Sequence, residues 1–252
     1  MGFSETGSDG DKRDFSAGEV REMIQDIIHG QKEFALPELS PTDRGGLIGL
    51  LAGVKPALEI EGRGVDPVSL AETLGKSGID LQVAGGMIIN PGAVEKRVME
   101  EPELASDVGW DKGENILEFI NSNNLYVRPS GEEDPKWHSK RGFLLGFPRS
   151  AIKSAEKAWG IARSKDVPLF SDASGQRMSL QDEETYKERY GNKLTSEELD
   201  FLLYEDRIFI EGPDYLPVYH FRIFGKEAQQ AKDIDELARQ VKEVFNKLGF
   251  DL

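Results

Sequence analysis

Apolar residues near the start of the chain recur at helical spacing. Val20, Met23, Ile24, Ile27 and Ile28 fall on one face of an α-helix. Ser16 and Glu19 have the spacing of a capping box, and Gly30 follows as a stop signal, so the pattern predicts a helix from about residue 16 to residue 29. We interpret residues 1–14 as a disordered acidic tail and residues 15–252 as a single domain.

The next helical pattern is rich in glycine and almost uncharged. Ser40, Pro41 and Asp43 mark its start, and it carries Gly45, Gly46, Gly49 and Gly53. Each glycine costs a helix about 1 kcal/mol relative to alanine. We therefore expect this helix to be buried, with close packing against another backbone as compensation.

Short alternating or apolar runs predict strands between the helices. One strand is predicted over residues 56–61 and another over 79–89, interrupted by Gly85-Gly86, with a helix at 66–75 between them. The short crossover leaves parallel or antiparallel pairing open. Asn90-Pro91-Gly92 reads as a turn, and residues 93–111 show only a weak pattern.

The second half of the chain predicts mainly helices. They cover residues 114–120, 135–145, 149–163 and 182–190, a helix capped by Thr195 and Glu198, and a last helix capped by Asp233 and Glu236. Two aromatic runs, 207–210 and 218–224, predict a hairpin. The resulting fold class is α+β, with a small mixed or antiparallel sheet covered by helices around one main core.

The charge balance is strongly acidic. The 252 residues include 46 Asp and Glu against 31 Lys and Arg, and there is no cysteine, which excludes disulfides and thiolate chemistry. The net charge of −15 opposes binding to a phosphate backbone, so nucleic-acid binding would need a local basic patch. Acidity spread along the chain is typical of a halophilic protein, although an ordinary acidic protein would look the same.

The chain has no pattern typical of membrane insertion or secretion. Its start has no apolar signal-peptide region, and no stretch approaches the roughly 20 apolar residues of a membrane span. These features favour a cytoplasmic protein without a membrane partner.

Residues 136–151 have the most distinctive composition. Basic and aromatic residues alternate there, and Trp137, His138, Arg141 and Arg149 could hold a small anionic or planar ligand, because arginine donates hydrogen bonds and tryptophan offers a stacking surface. Arg63, in the turn Gly62-Arg63-Gly64, could contribute as well. The alternative is that the apolar members form core and the basic residues a solvated face.

Part of this segment carries a resemblance to a known family. Leu145-Gly146-Phe147-Pro148, preceded by His138 and followed by a predicted helix, resembles the Leu-Gly-Tyr-Pro-x-Cys-Cys signature of an archaeal family of unknown function, over about residues 134–165. Ser150 and Ala151 stand where that family often has two cysteines, so no thiol or metal role carries over. The resemblance implies an archaeal origin and no particular activity.

Three functional hypotheses remain open from the sequence. The first is an uncharacterised ligand- or partner-binding protein with its site around Trp137. The second is an enzyme acting on a small anionic metabolite or nucleotide, with His138 as acid and base and Arg63, Arg141 or Arg149 holding the anion. The third is a protein interaction module, which predicts an exposed apolar patch on the last helix. No metal site, cofactor or oligomeric state is predicted.

Overall fold

A computed structural model describes residues 16–29, 39–60, 65–75, 80–110, 115–123, 125, 135–169, 180–229 and 231–252. The elements of the first half are α1 Ala17–His29, α2 Pro41–Leu51, β1 Ala57–Glu59, α3 Pro67–Gly75, β2 Gln82–Ala84, β3 Met87–Ile89, α4 Pro91–Glu100, α5 Pro102–Asp107 and α6 Ile116–Ser122. Those of the second half are α7 Pro135–Leu144, α8 Arg149–Lys165, α9 Leu180–Tyr190, α10 Ser196–Leu203, β4 Glu205–Glu211, β5 Pro217–Phe224, α11 Lys226–Gln229 and α12 Lys232–Lys247. The predicted tail at 1–14 lies outside the described residues.

The fold is α+β, as predicted, and its two sheets are antiparallel. The first sheet has the strand order β1-β3-β2, and the second is the β4–β5 hairpin. The stretch predicted as one interrupted strand is itself a hairpin, because Gly85 and Gly86 both adopt positive φ and turn the chain between β2 and β3. β1 pairs with β3 in the antiparallel direction, which settles the pairing that the sequence left open.

The glycines of α2 allow it to lie directly on β5 and β1. A Cβ at Gly45 would fall 2.2 Å from the backbone oxygen of Pro217, and one at Gly49 would fall 2.5 Å from the Val218 side chain. A Cβ at Gly46 would fall 2.5 Å from the Leu58 side chain. The expected burial and close packing of this helix are confirmed.

Three adjoining clusters of buried side chains form the interior. The largest gathers α1, α2, the β4–β5 hairpin and α12; the second lies between the three-stranded sheet and helices α4 to α8; the smallest joins the C-terminal half of α8 to α10. Phe147, at the corner between α7 and α8, contacts both larger clusters.

Two local predictions are wrong. Asn90-Pro91-Gly92 begins α4 instead of ending a strand in a turn, since the Asn90 side chain accepts a hydrogen bond from the Ala93 N–H at 3.1 Å. The second is the capping role given to Asp233 on α12, whose N-cap is Ala231 with no side-chain hydrogen bond. Asp233 Oδ2 instead accepts from the Ser150 N–H at 2.7 Å, so it caps α8, which starts after a proline that has no capping side chain.

Candidate functional site

The structure brings Trp137, His138 and Arg141 together on α7. The imidazole of His138 stacks on Trp159 of α8, with centroids 4.4 Å apart, and meets the edge of Trp137 at 5.0 Å. The Arg141 guanidinium carbon lies 5.2 Å from the centroid of the Trp137 ring. Trp137 itself is buried, so its rings fill space between helices and leave little surface on which a planar ligand could stack.

Arg141 is engaged by other parts of the protein. Its Nη2 lies 2.7 Å from Glu59 Oε1, at the end of β1, and its Nη1 donates to the carbonyl of Leu125 at 3.0 Å and towards that of Gly85 at 3.4 Å. Only 12% of the side chain is exposed. Arg141 therefore ties α7 to the three-stranded sheet.

Arg149 lies at the opposite end of the helix pair from His138. It opens α8, ten residues before Trp159, which corresponds to about 15 Å along the helix axis. Its guanidinium contacts Glu103 and Asp107, each at 3.1 Å, on the exposed surface of α5. Arg63 lies outside the described residues.

A different region combines a cavity with a buried charge. A cleft of about 340 Å³ opens between α4, the loop after α2, the Gly146 corner and α12. We call it the Arg97 cleft. Its lining residues are Gly53, Val54, Pro56, Ala93, Lys96, Arg97, Glu100, Glu101, Gly146, Tyr219, Leu237, Arg239, Gln240, Glu243, Val244 and Lys247.

Arg97 lies deepest among the charged residues of this cleft. Its side chain is 8% exposed, and its Nη2 donates to the Phe147 carbonyl and to Glu101 Oε2, the latter at 3.3 Å. The guanidinium carbon lies 4.9 Å from the centroid of the Phe143 ring. Its Nε is buried without a hydrogen-bond partner. Burial lowers the pKa of Arg97, and the charge of Glu101 acts in the opposite direction.

The segment that carries the family resemblance contributes Gly146 to the lining of the cleft. Gly146 has φ +82°, and a Cβ there would come within 2.8 Å of the Tyr219 hydroxyl. Tyr219 lies fully inside the protein, donates its hydroxyl to the Val54 carbonyl, and has its pKa raised by burial. Gly146 and Phe147 thus shape the cleft through a missing side chain and a backbone carbonyl.

The charge of the cleft differs from that of the chain. Its lining includes four cationic side chains, Lys96, Arg97, Arg239 and Lys247, and three carboxylates. Arg239 is paired with Glu236 and Glu243, whereas Lys247 forms no ion pair with any described residue. A small positive excess in a protein of net charge −15 distinguishes this surface from its surroundings.

Sequence reasoning missed Arg97 because residues 93–111 were not assigned to a helix. Within α4, Arg97 follows the buried Val94 by three positions and so falls on the same face. An arginine on the apolar face of a helix is the signal that would have identified it.

No protein-family model, curated protein or solved structure matches the chain. The resemblance to the archaeal signature accordingly stays a prediction. In the described part of the chain, no helix has both the length and the apolar character needed to cross a membrane. Nor do the described His, Asp and Glu side chains form any group of three or more that could hold a metal ion.

Proposed function

We propose that the protein binds a small anionic ligand in the Arg97 cleft. The observation that carries this proposal is the Arg97 guanidinium, which is buried at a 340 Å³ cavity with one carboxylate as its charged partner and with Nε unpartnered. A buried cation is stable only when it is well paired. A ligand carboxylate or phosphate would complete its pairing, and arginine suits both groups because its donors form a planar fork.

The remaining lining supports the same ligand class. Lys247 on α12 and Lys96 on α4 both line the cleft and would attract an anion, although Lys96 also lies 3.8 Å from Glu100. The cavity is at the lower end of the volumes of small-molecule sites, so a compact metabolite fits better than a large cofactor.

We prefer this location to the one predicted on α7. Arg141 already has a carboxylate at 2.7 Å and a backbone carbonyl at 3.0 Å, and Trp137 is buried. The enzyme hypothesis based on His138 and the interaction-module hypothesis stay predictions. Large apolar side chains that are exposed in the described residues are Val68, Met99, Leu117, Phe209 and Tyr215, and none lies on α12.

The cellular setting that we propose is a salt-rich archaeal cytoplasm. The support is the excess of 46 acidic over 31 basic residues, together with the resemblance at residues 145–148. Binding studies should therefore include high-salt buffers.

Native mass spectrometry of gently purified protein is the first test, because a tightly held anion would appear as an added mass. Isothermal titration with inorganic phosphate and citrate as probes would follow. We expect saturable binding of one molecule per chain. Arg97→Met should weaken it by roughly 10- to 100-fold, since hydrogen bonds to charged groups contribute about 1.5–3 kcal/mol.

Two further variants keep the test decisive. Lys247→Ala changes an exposed residue of the cleft, so it should fold normally and weaken binding by about two- to fivefold. Arg149→Gln removes an exposed, paired arginine outside the cleft and should leave binding unchanged. No binding of either probe, or binding that survives both Arg97→Met and Lys247→Ala, would refute the proposal.

A further inference from the structure

One face of the β4–β5 hairpin places two arginines opposite each other. Residues directly paired across antiparallel strands project to the same face, and Arg207 pairs with Arg222 while Phe209 pairs with His220. Like charges at directly opposed positions destabilise a sheet. We call this surface, made of Arg207, Phe209, His220 and Arg222, the hairpin face.

One arginine of this pair has a carboxylate partner among the described residues. Arg222 Nη1 lies 3.3 Å from Glu205 Oε1. The Arg207 guanidinium forms no ion pair with a described residue. Burial lowers the pKa of His220, and the charges of Arg207, Arg222 and Lys55 lower it further, so these three cations lie within electrostatic reach of the imidazole. His220 Nε2 is buried without a hydrogen-bond partner.

The same face exposes an aromatic ring in a fixed orientation. Phe209 is 52% exposed, and its ring lies parallel to the His220 imidazole, with centroids 4.7 Å apart and planes inclined by 4°. His220 covers one side of the Phe209 ring and limits its rotation. Because Phe209 is half exposed, a planar group can reach its ring, as in proteins that stack nucleic-acid bases on aromatic side chains.

From this arrangement we infer that the hairpin face binds a nucleotide, with the base stacked on Phe209 and the phosphate held by Arg207 and Arg222. The arginines precede and follow the aromatic pair by two residues on their strands, a step of about 7 Å, so one small ligand can reach both features. The site is separate from the Arg97 cleft, since none of its four residues lines that cavity.

Two sources could supply this chemistry, namely a free nucleotide or a unit within single-stranded RNA. The net charge of −15 opposes a long polyanion, and free nucleotide is the source we favour. Titration with AMP and with a hexa-adenylate RNA separates them. If AMP binds saturably and the RNA binds no more tightly than AMP, the site is assigned to free nucleotides. If the RNA binds much more tightly than AMP, the site is assigned to nucleic acid. Either result supports a nucleotide site.

Variants test the stacking and the phosphate contact separately. Phe209→Ala should weaken AMP binding by about 5- to 150-fold, the range for loss of one base–aromatic stack, and Arg207→Gln should weaken it by roughly tenfold or more. Leu117→Ala is the control, because Leu117 is an exposed apolar residue on α6 that belongs neither to the hairpin face nor to the Arg97 cleft. It should leave binding unchanged.

Three outcomes would overturn the inference. The first is the absence of AMP and RNA binding in dilute and concentrated salt. The second is equal binding of ribose 5-phosphate and AMP, which would mean that no base is recognised. The third is loss of AMP binding in Lys247→Ala but not in Phe209→Ala, which would place the nucleotide in the Arg97 cleft and leave the proposed function standing.

Discussion

Replacing Gly45 by alanine tests how α2 packs on β5. Alanine is intrinsically better in a helix by about 1 kcal/mol, so an uncrowded site would gain stability. Here the new Cβ would lie 2.2, 2.5 and 2.8 Å from the O, C and N atoms of Pro217, all of them backbone. A backbone strand inside the largest core cluster cannot rotate away as a side chain can.

The expected result is a net loss of stability. Overpacking of a core typically costs about 1–3 kcal/mol and sometimes more, and this contact lies at the severe end. After subtracting the helical gain, we expect Gly45→Ala to lower the free energy of unfolding by about 2 kcal/mol. The melting temperature should fall by about 4–8 °C for a chain of this size.

Gly160→Ala is the matched control for this experiment. Gly160 lies inside α8, and no atom comes within 4 Å of the Cβ that alanine would add. This variant should gain up to about 1 kcal/mol. Urea unfolding followed by circular dichroism measures both. A Gly45→Ala protein as stable as the parent or more stable would refute the close contact between α2 and β5.

Four further predictions concern stability. Asp233→Ala should cost about 1 kcal/mol in urea unfolding, because the N-terminus of α8 loses its side-chain cap. Arg141→Met should cost about 2–3 kcal/mol by the same measurement, since Glu59 and the Leu125 carbonyl lose a charged donor. Burial lowers the pKa of His220, so protonation favours the unfolded state and stability should fall as pH drops below about 6.5. His220→Phe should flatten this dependence when unfolding is measured across that pH range. If the acidic surface is halophilic, the melting temperature should rise steadily from dilute buffer to molar KCl, whereas an ordinary acidic protein should level off once its charges are screened.

Patterns that act over three or four residues were readable in the sequence. The capping box of Ser16 and Glu19 and that of Thr195 and Glu198 are both present, because each depends only on a side chain reaching the backbone of its own first turn. Helices α7 and α8 begin and end within two residues of their predicted bounds for the same reason. Local spacing was sufficient for these elements.

Contacts between distant segments decided the features of the fold and of the cleft that local spacing does not determine. Asp233 and Glu236 have the same local spacing as a capping box, but Asp233 bonds to Ser150, 83 residues away. Arg97 lies in a cleft only because Phe147, Tyr219 and α12, which are distant in the sequence, pack around it. The sequence by itself determined the α+β class, most helix starts and the acidic surface. Tertiary packing decided the strand pairing, the partners of each charge and the position of the cavity. These three features depend on which distant surfaces meet when the core is buried.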